Sequence, residues 1–311
     1  IPPGCLSMRR LLLVLAFGLL ATACTDDDTF EMAGDVDVPR LDRSVSAVPL
    51  DEVVFDTFDG GSVPLSEADD ATVDRLLDAI PPIDEPAFES PADATWLDDD
   101  DLVIVVERGD TTRAYPVLIL DLHEIVHDEV GGESLVVTYC PLCGSALVFD
   151  RTTEDGPVTF SNTSALYEND MVMVDRETGS YWWQTAGRAI VGPRTGDELT
   201  LVSSRMDRFG VWRAANPDGE VLVRPVEGRD YSRDRFATYG ATLDAGRTPF
   251  PVSPEVFDDT RLAPSTRVTI AEIDGVWTAW PDGTEPDLGD TPTASMYWFA
   301  AAGAYPGLQL G

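Results

Sequence analysis

The chain has no lysine. Its 21 basic residues are all arginine, set against 56 acidic residues, for a formal charge of −35. Such an excess of negative charge excludes nucleic acid and anionic lipid as electrostatic partners. Histidine is almost missing, with two in 311 residues, so a metal site must draw most of its ligands from other residue types. Cysteine is scarce as well, at four. The apolar run at residues 11–23 is 13 residues long, below the roughly 18 needed to span a bilayer.

That run has the form of an export signal. Met8 is the first methionine, so residues 1–7 read as upstream sequence, and Arg9 and Arg10 supply a positive start. The run closes on the small residues Ala21, Thr22 and Ala23, directly before Cys24. A small-residue cleavage site before a cysteine resembles the lipobox of prokaryotic lipoproteins, whose cysteine thiol takes a diacylglyceryl group. An ordinary signal peptide that happens to precede a cysteine is the alternative. The expectation is a protein of the cell envelope, working outside the cytoplasm and held to the membrane through Cys24. Residues 1–23 are then leader, and the Asp-rich residues 24–50 a disordered tether.

Beyond the tether, Ser66 can cap a helix running to residue 79, with Val73, Leu76 and Leu77 on one face. Short apolar segments then follow at about ten-residue spacing: strands at 102–107, 112–120, 134–140, 145–150, 158–162, 171–175 and 180–184. A short helix is expected at 120–128, and Gly131-Gly132 marks a turn. The pattern predicts an α+β fold, mainly β, with short antiparallel strands and few helices. Residues 97–116 align without gaps to 262–281, and 209–222 resemble 297–310. These echoes imply two related lobes from a degenerate internal duplication, a first at 51–225 and a shortened second at 226–311.

With Cys5 upstream and Cys24 lipidated, only Cys140 and Cys143 remain in the folded part. Cys140-Pro141-Leu142-Cys143-Gly144 resembles the knuckle of rubredoxin-like and zinc-ribbon sites, where one turn aims two thiolates at one metal. A second knuckle is missing, so other residues must complete the site. His123 lies on the expected helix before the strand that ends at Cys140. Two thiolates and an imidazole suit zinc or copper. Met171 and Met173 share one strand face, and a thioether from either would favour copper, although core packing is the plainer role. His123-Glu124-Ile125-Val126-His127 spells the H-E-x-x-H metalloprotease pattern. The short helix and the absence of a third histidine argue against that use. Two other readings of Cys140 and Cys143 stay open: a thiol–disulfide oxidoreductase pair, or a structural disulfide in a non-enzymatic binding protein. Tyr139, Asp175, Arg176, Trp183 and Gln184 are candidates for lining a pocket.

Several segments together resemble the domain-of-unknown-function 3179 family. They are Arg113-Ala114-Tyr115-Pro116, His123-Glu124-Ile125-Val126, residues 138–144 (TYCPLCG), Asp175-Arg176 with Thr178-Gly179-Ser180, Trp183-Gln184, and Trp298-Phe299-Ala300. The resemblance covers residue 79 onward and implies no particular reaction. His127 stands where the family pattern implies Asn, which makes the H-E-x-x-H match an accident of this chain. What the resemblance supports is His123, Cys140 and Cys143.

Overall fold

The computed structural model describes residues 38–311, except 227, 234 and 237. The expectations for the leader, for Cys24 and for the first part of the tether lie outside those residues. The rest is mainly β, with short antiparallel strands in several sheets and few helices, in agreement with the sequence pattern.

An eight-stranded sheet carries the hairpin Glu133–Cys140 and Ser145–Asp150, flanked by Ile125–Val130 on one side and by C-terminal strands on the other. Gly131 and Gly132, at φ 62° and 86°, make the tight turn that pairs Val130 with Glu133. Both have positive φ, as a two-residue turn of this hand requires, and glycine meets that without strain. A six-stranded sheet carries Phe160–Tyr167 paired with Asp170–Asp175. Their connection places Glu168 and Asn169 at φ 52° and 57°, again a two-residue turn of that type. A five-stranded sheet is built around Leu102–Arg108 and Thr111–Pro116.

Three local expectations change. Pro116 ends its strand and caps the helix Val117–His123 at φ −63°, because its ring fixes φ near the helical value. The helix therefore begins earlier than 120. It also ends earlier than 128: Glu124 turns left-handed at φ 57°, and Ile125–Val130 is a strand. The N-terminal helix is Asp70–Leu76, capped by Asp69, whose carboxylate accepts from the Thr72 N–H, rather than by Ser66. Finally, the later part of the tether, from residue 38, is folded onto the domain. Ser46 bridges to Val191, Ala47 N–H donates to Ile190 O, and Val38, Leu41, Val48 and Leu50 pack on the core of the six-stranded sheet.

The two segments that echo in sequence also share a strand plan. Leu102–Arg108 and Thr111–Pro116 pair with Val103 opposite Pro116; Arg267–Ile273 and Val276–Pro281 pair with Val268 opposite Pro281. Each pair is flanked by an antiparallel strand leading into a helix, and then by a strand returning parallel. The helix Phe209–Ala215 corresponds to Trp298–Ala304, one residue off the 209–222/297–310 alignment. The described residues form one compact unit, and Ser295 pairs with Ala146, so strands from before and after residue 225 share the eight-stranded sheet.

Candidate metal centre

Cys140 closes its strand and opens the four-residue connection to Ser145, with the Cys143 N–H donating to Cys140 O at 3.2 Å. Gly144 follows at φ 54°, where a Cβ would stand 2.7 Å from the Tyr297 ring; only glycine fits. Tyr297 N–H donates to Cys143 O, so the strand Thr293–Tyr297 holds the back of the knuckle. Both thiols are free and buried, among Met171, Met173, Phe160 and Leu147.

The third group in this cluster is Asp170. Ligand atoms of Cys140, Cys143 and Asp170 all lie within 4.8 Å of one another, and all three residues are buried. The hairpin turn at Glu168-Asn169 delivers it, and Cys143 Sγ donates to Asn169 O at 3.3 Å. Asp170 Oδ2 accepts from the Thr185 N–H at 2.8 Å and the Thr185 hydroxyl at 2.5 Å. Asp170 Oδ1 has no hydrogen-bond partner among the described residues. A buried acceptor left unmatched costs about 1–3 kcal/mol, so such an atom calls for a reason.

Glu124 stands close by. Its left-handed backbone turns its fully buried carboxyl away from the helix and onto Asn162 Nδ2, which donates at 2.6 Å. Asn162 is aimed by an irregularity in its own strand, where Thr163 and Ser164 are inserted before Ala165. Burial pushes Glu124 up to about 8, with Asp170 and Asp121 adding repulsion against the Asn162 hydrogen bond. Burial likewise raises Cys140, Cys143 and Asp170; Asp170 adds to the rise of both thiols, while the two thiols act on Asp170 in the opposite sense, as donors that favour its charged form. Among the described residues neither Asp170 nor Glu124 has an ion-pair partner. Four acidic groups thus lie together, with no ion-pair partner for either carboxyl among the described residues.

His123 is not one of the cluster. It ends its helix on the side of Tyr231, with Nδ1 donating to Pro81 O at 2.8 Å and Nε2 held by the Tyr231 hydroxyl at 3.2 Å. Burial lowers it to about 4, so the ring is neutral, and with Nδ1 donating to Pro81 O, Nε2 accepts a hydrogen bond from the Tyr231 hydroxyl. Asp170 takes the place expected of His123. His127 lies on a strand, Nδ1 on Asp84 at 2.9 Å and Nε2 accepting the Phe160 N–H at 2.9 Å. H-E-x-x-H needs both histidines on one helix, and the break at Glu124 removes that geometry.

Of the two methionines, Met171 borders the same pocket as Cys140, with its sulfur 3.5 Å from Asn162 Nδ2, while Met173 is core. Tyr139, Asp175, Arg176, Trp183 and Gln184 are not among the walls of that pocket. Asp175 closes a turn by accepting from Thr178 and from Trp182 Nε1. Arg176 pairs with Asp84, Trp183 stacks edge-on against Tyr167, and Tyr139 is packed in the core beside the helix. Gln184 has a positioning part: buried, it accepts from the Ser145 hydroxyl and donates to Thr138 Oγ1, both at 2.8 Å. It ties the strand end that carries Thr185, and so Asp170, to the cysteine hairpin.

A narrow pocket of about 60 Å³ reaches Cys140, with Glu124, Asn162, Met171, Leu142 and Phe250 in its wall. It shares Glu124, Leu142 and Phe250 with a wider cavity of about 650 Å³. A family model described as "Protein of unknown function (DUF3179)" matches residues 77–287, which hold every residue of this cluster. No curated protein and no solved structure matches the chain.

Proposed function

The chain belongs to the DUF3179 family, and we propose that its working part is a mononuclear metal centre held by Cys140, Cys143 and Asp170, with zinc the best-suited ion. The observation that carries this reading is Asp170 Oδ1, buried within 4.8 Å of two thiols and without a hydrogen-bond partner of good geometry among the described residues. A cation would give that oxygen a partner and balance the cluster's acids at once. Two sulfurs and one carboxylate oxygen form a mixed soft and hard set, which fits zinc better than copper(I). Glu124 and Asn162 stand beside it as a proton-holding and a hydrogen-bonding group.

A dithiol exchanger is supported less well. Exchange needs an accessible thiolate, and burial here raises both thiols. A metal stabilises the thiolate that burial opposes. We further propose that the centre works outside the cytoplasm on a lipid-anchored protein, on the strength of the Ala-Thr-Ala-Cys sequence at 21–24.

The test is metal analysis of the reduced full chain. The expected result is one zinc per chain, lost in Cys140→Ser and Cys143→Ser, with both variants still folded. No bound metal, or equal zinc in both variants, would overturn the proposal; retention of copper(I) in place of zinc would overturn the choice of ion.

A further inference from the structure

We infer that the cavity above Cys140 is the substrate site of this centre, and that it takes a small organic acid: an anionic group at the arginine-lined mouth, an apolar body between phenylalanine rings, and a polar inner end at the metal. The inference rests on the metal reading above.

Cys140 is the one ligand residue of the three that borders the pocket; Cys143 and Asp170 are not in its wall. A metal held by these three groups would have Cys140 as its ligand on the pocket side. Three protein ligands with the remaining position turned to a cavity is the pattern of catalytic zinc; structural zinc is closed by four. The inner pocket, at about 60 Å³, admits only a few atoms, and Glu124 and Asn162 stand at its wall. The end of the substrate that enters it is therefore small and able to hydrogen-bond.

The outer cavity, at about 650 Å³, is within the size of small-molecule sites. Phe58, Phe236 and Phe250 give it flat apolar walls, and Arg229 and Arg235 also line it. Acids outnumber arginines 56 to 21 along the chain but only three to two in this cavity, where Asp56, Asp121 and Glu124 stand with Arg229 and Arg235, so its wall is enriched in arginine relative to the whole. Asp56 Oδ1 is held by the Phe58 N–H, and Asp121, near Arg235, has its carboxyl raised by burial to about 7, so it only partly offsets the arginine charge. Phe58 is an independent sign. It is 55% exposed and held at φ 61°, an unusual backbone for an aromatic residue, with its N–H on Asp56 Oδ1 at 2.8 Å. Exposed apolar surface and local strain kept together at a cavity mouth fit a ligand contact.

Cobalt(II) loading of the full chain separates this inference from the one beneath it. A thiolate-to-cobalt absorption band, lost in Cys140→Ser, reports the metal site; its absence defeats the metal reading itself. With the band present, azide should change the cobalt d–d spectrum saturably. Ile80→Trp, which plugs both pockets, should keep the charge-transfer band and weaken azide at least tenfold. Phenylacetate should compete with azide, phenylacetamide should not, and Arg235→Ala should weaken phenylacetate at least tenfold. An azide-insensitive spectrum, undiminished azide binding in Ile80→Trp, or equal competition by acid and amide would overturn the substrate site while leaving the metal in place.

Discussion

Replacing Asp170 by Asn should move two properties in opposite directions. In the metal-free chain the side chain keeps its shape, and its amide oxygen can still accept from Thr185. The amide NH₂ then occupies the place of Oδ1, which has no partner among the described residues, and faces two thiols that can accept weakly. One acid that raises both thiols also leaves the cluster. An unmatched buried acceptor costs about 1–3 kcal/mol, so the metal-free variant should gain about 1 kcal/mol, read as roughly 2 °C in Tm for a domain of this size. In the loaded chain a charged oxygen ligand is lost, and zinc affinity should fall at least tenfold, or about 1.4 kcal/mol. Thermal melts of reduced, chelator-treated protein, paired with competition titrations against a zinc chelator, read both. A purely structural Asp170 predicts lower stability and unchanged zinc binding; that pair of results would refute the reasoning.

His123→Ala should leave zinc affinity within about twofold while costing about 2–3 kcal/mol of stability, since it strips Pro81 O and the Tyr231 hydroxyl of their buried partner; a large loss of zinc affinity would restore the histidine to the site. Glu124 has an ordinary value of 4.5 and stands near 8 when folded. Folding therefore raises its affinity for a proton, so its contribution is full below pH 4.5 and is lost as the pH climbs toward 8. Urea melts of metal-free wild type should show falling stability across that window, with about 5 kcal/mol as the upper bound, and Glu124→Gln should flatten most of the slope; parallel slopes would contradict the burial argument. Cys24→Ser should move the protein from the membrane to the soluble fraction, and unchanged membrane association would dismiss the lipobox.

The knuckle was legible because its information is local. Cys-Pro-Leu-Cys-Gly between two apolar runs specifies a turn, and the turn brings two sulfurs together whatever the rest of the fold does. The turn at Gly131-Gly132 and the strand after it were legible for the same reason. The helix boundaries were not. Pro116 reads equally well as a strand breaker and as a helix cap, and the left-handed Glu124 shows in no periodicity. That one backbone angle decides the site: it ends the helix, leaves His123 on Tyr231 and turns Glu124 toward Asn162. Asp170 was hidden for another reason. It lies 27 positions beyond Cys143, in a segment that reads as polar turn, and reaches the sulfurs only because two sheets meet there. A signal did exist. Glu168-Asn169 between two apolar strands is a candidate for the two-residue turn observed, Asn tolerating positive φ better than most residues, and an acid directly after such a turn faces whatever the hairpin tip meets. Gln184 reads in the sequence as a candidate for lining a pocket, and its positioning part shows only with the partner sheet in place. It holds Ser145 and Thr138 on one side and stands next to Thr185, the partner of Asp170, on the other. A side chain that bonds the two halves of the proposed centre to one another holds the distance between them, so the geometry of the Cys140, Cys143 and Asp170 group rests on a residue outside it.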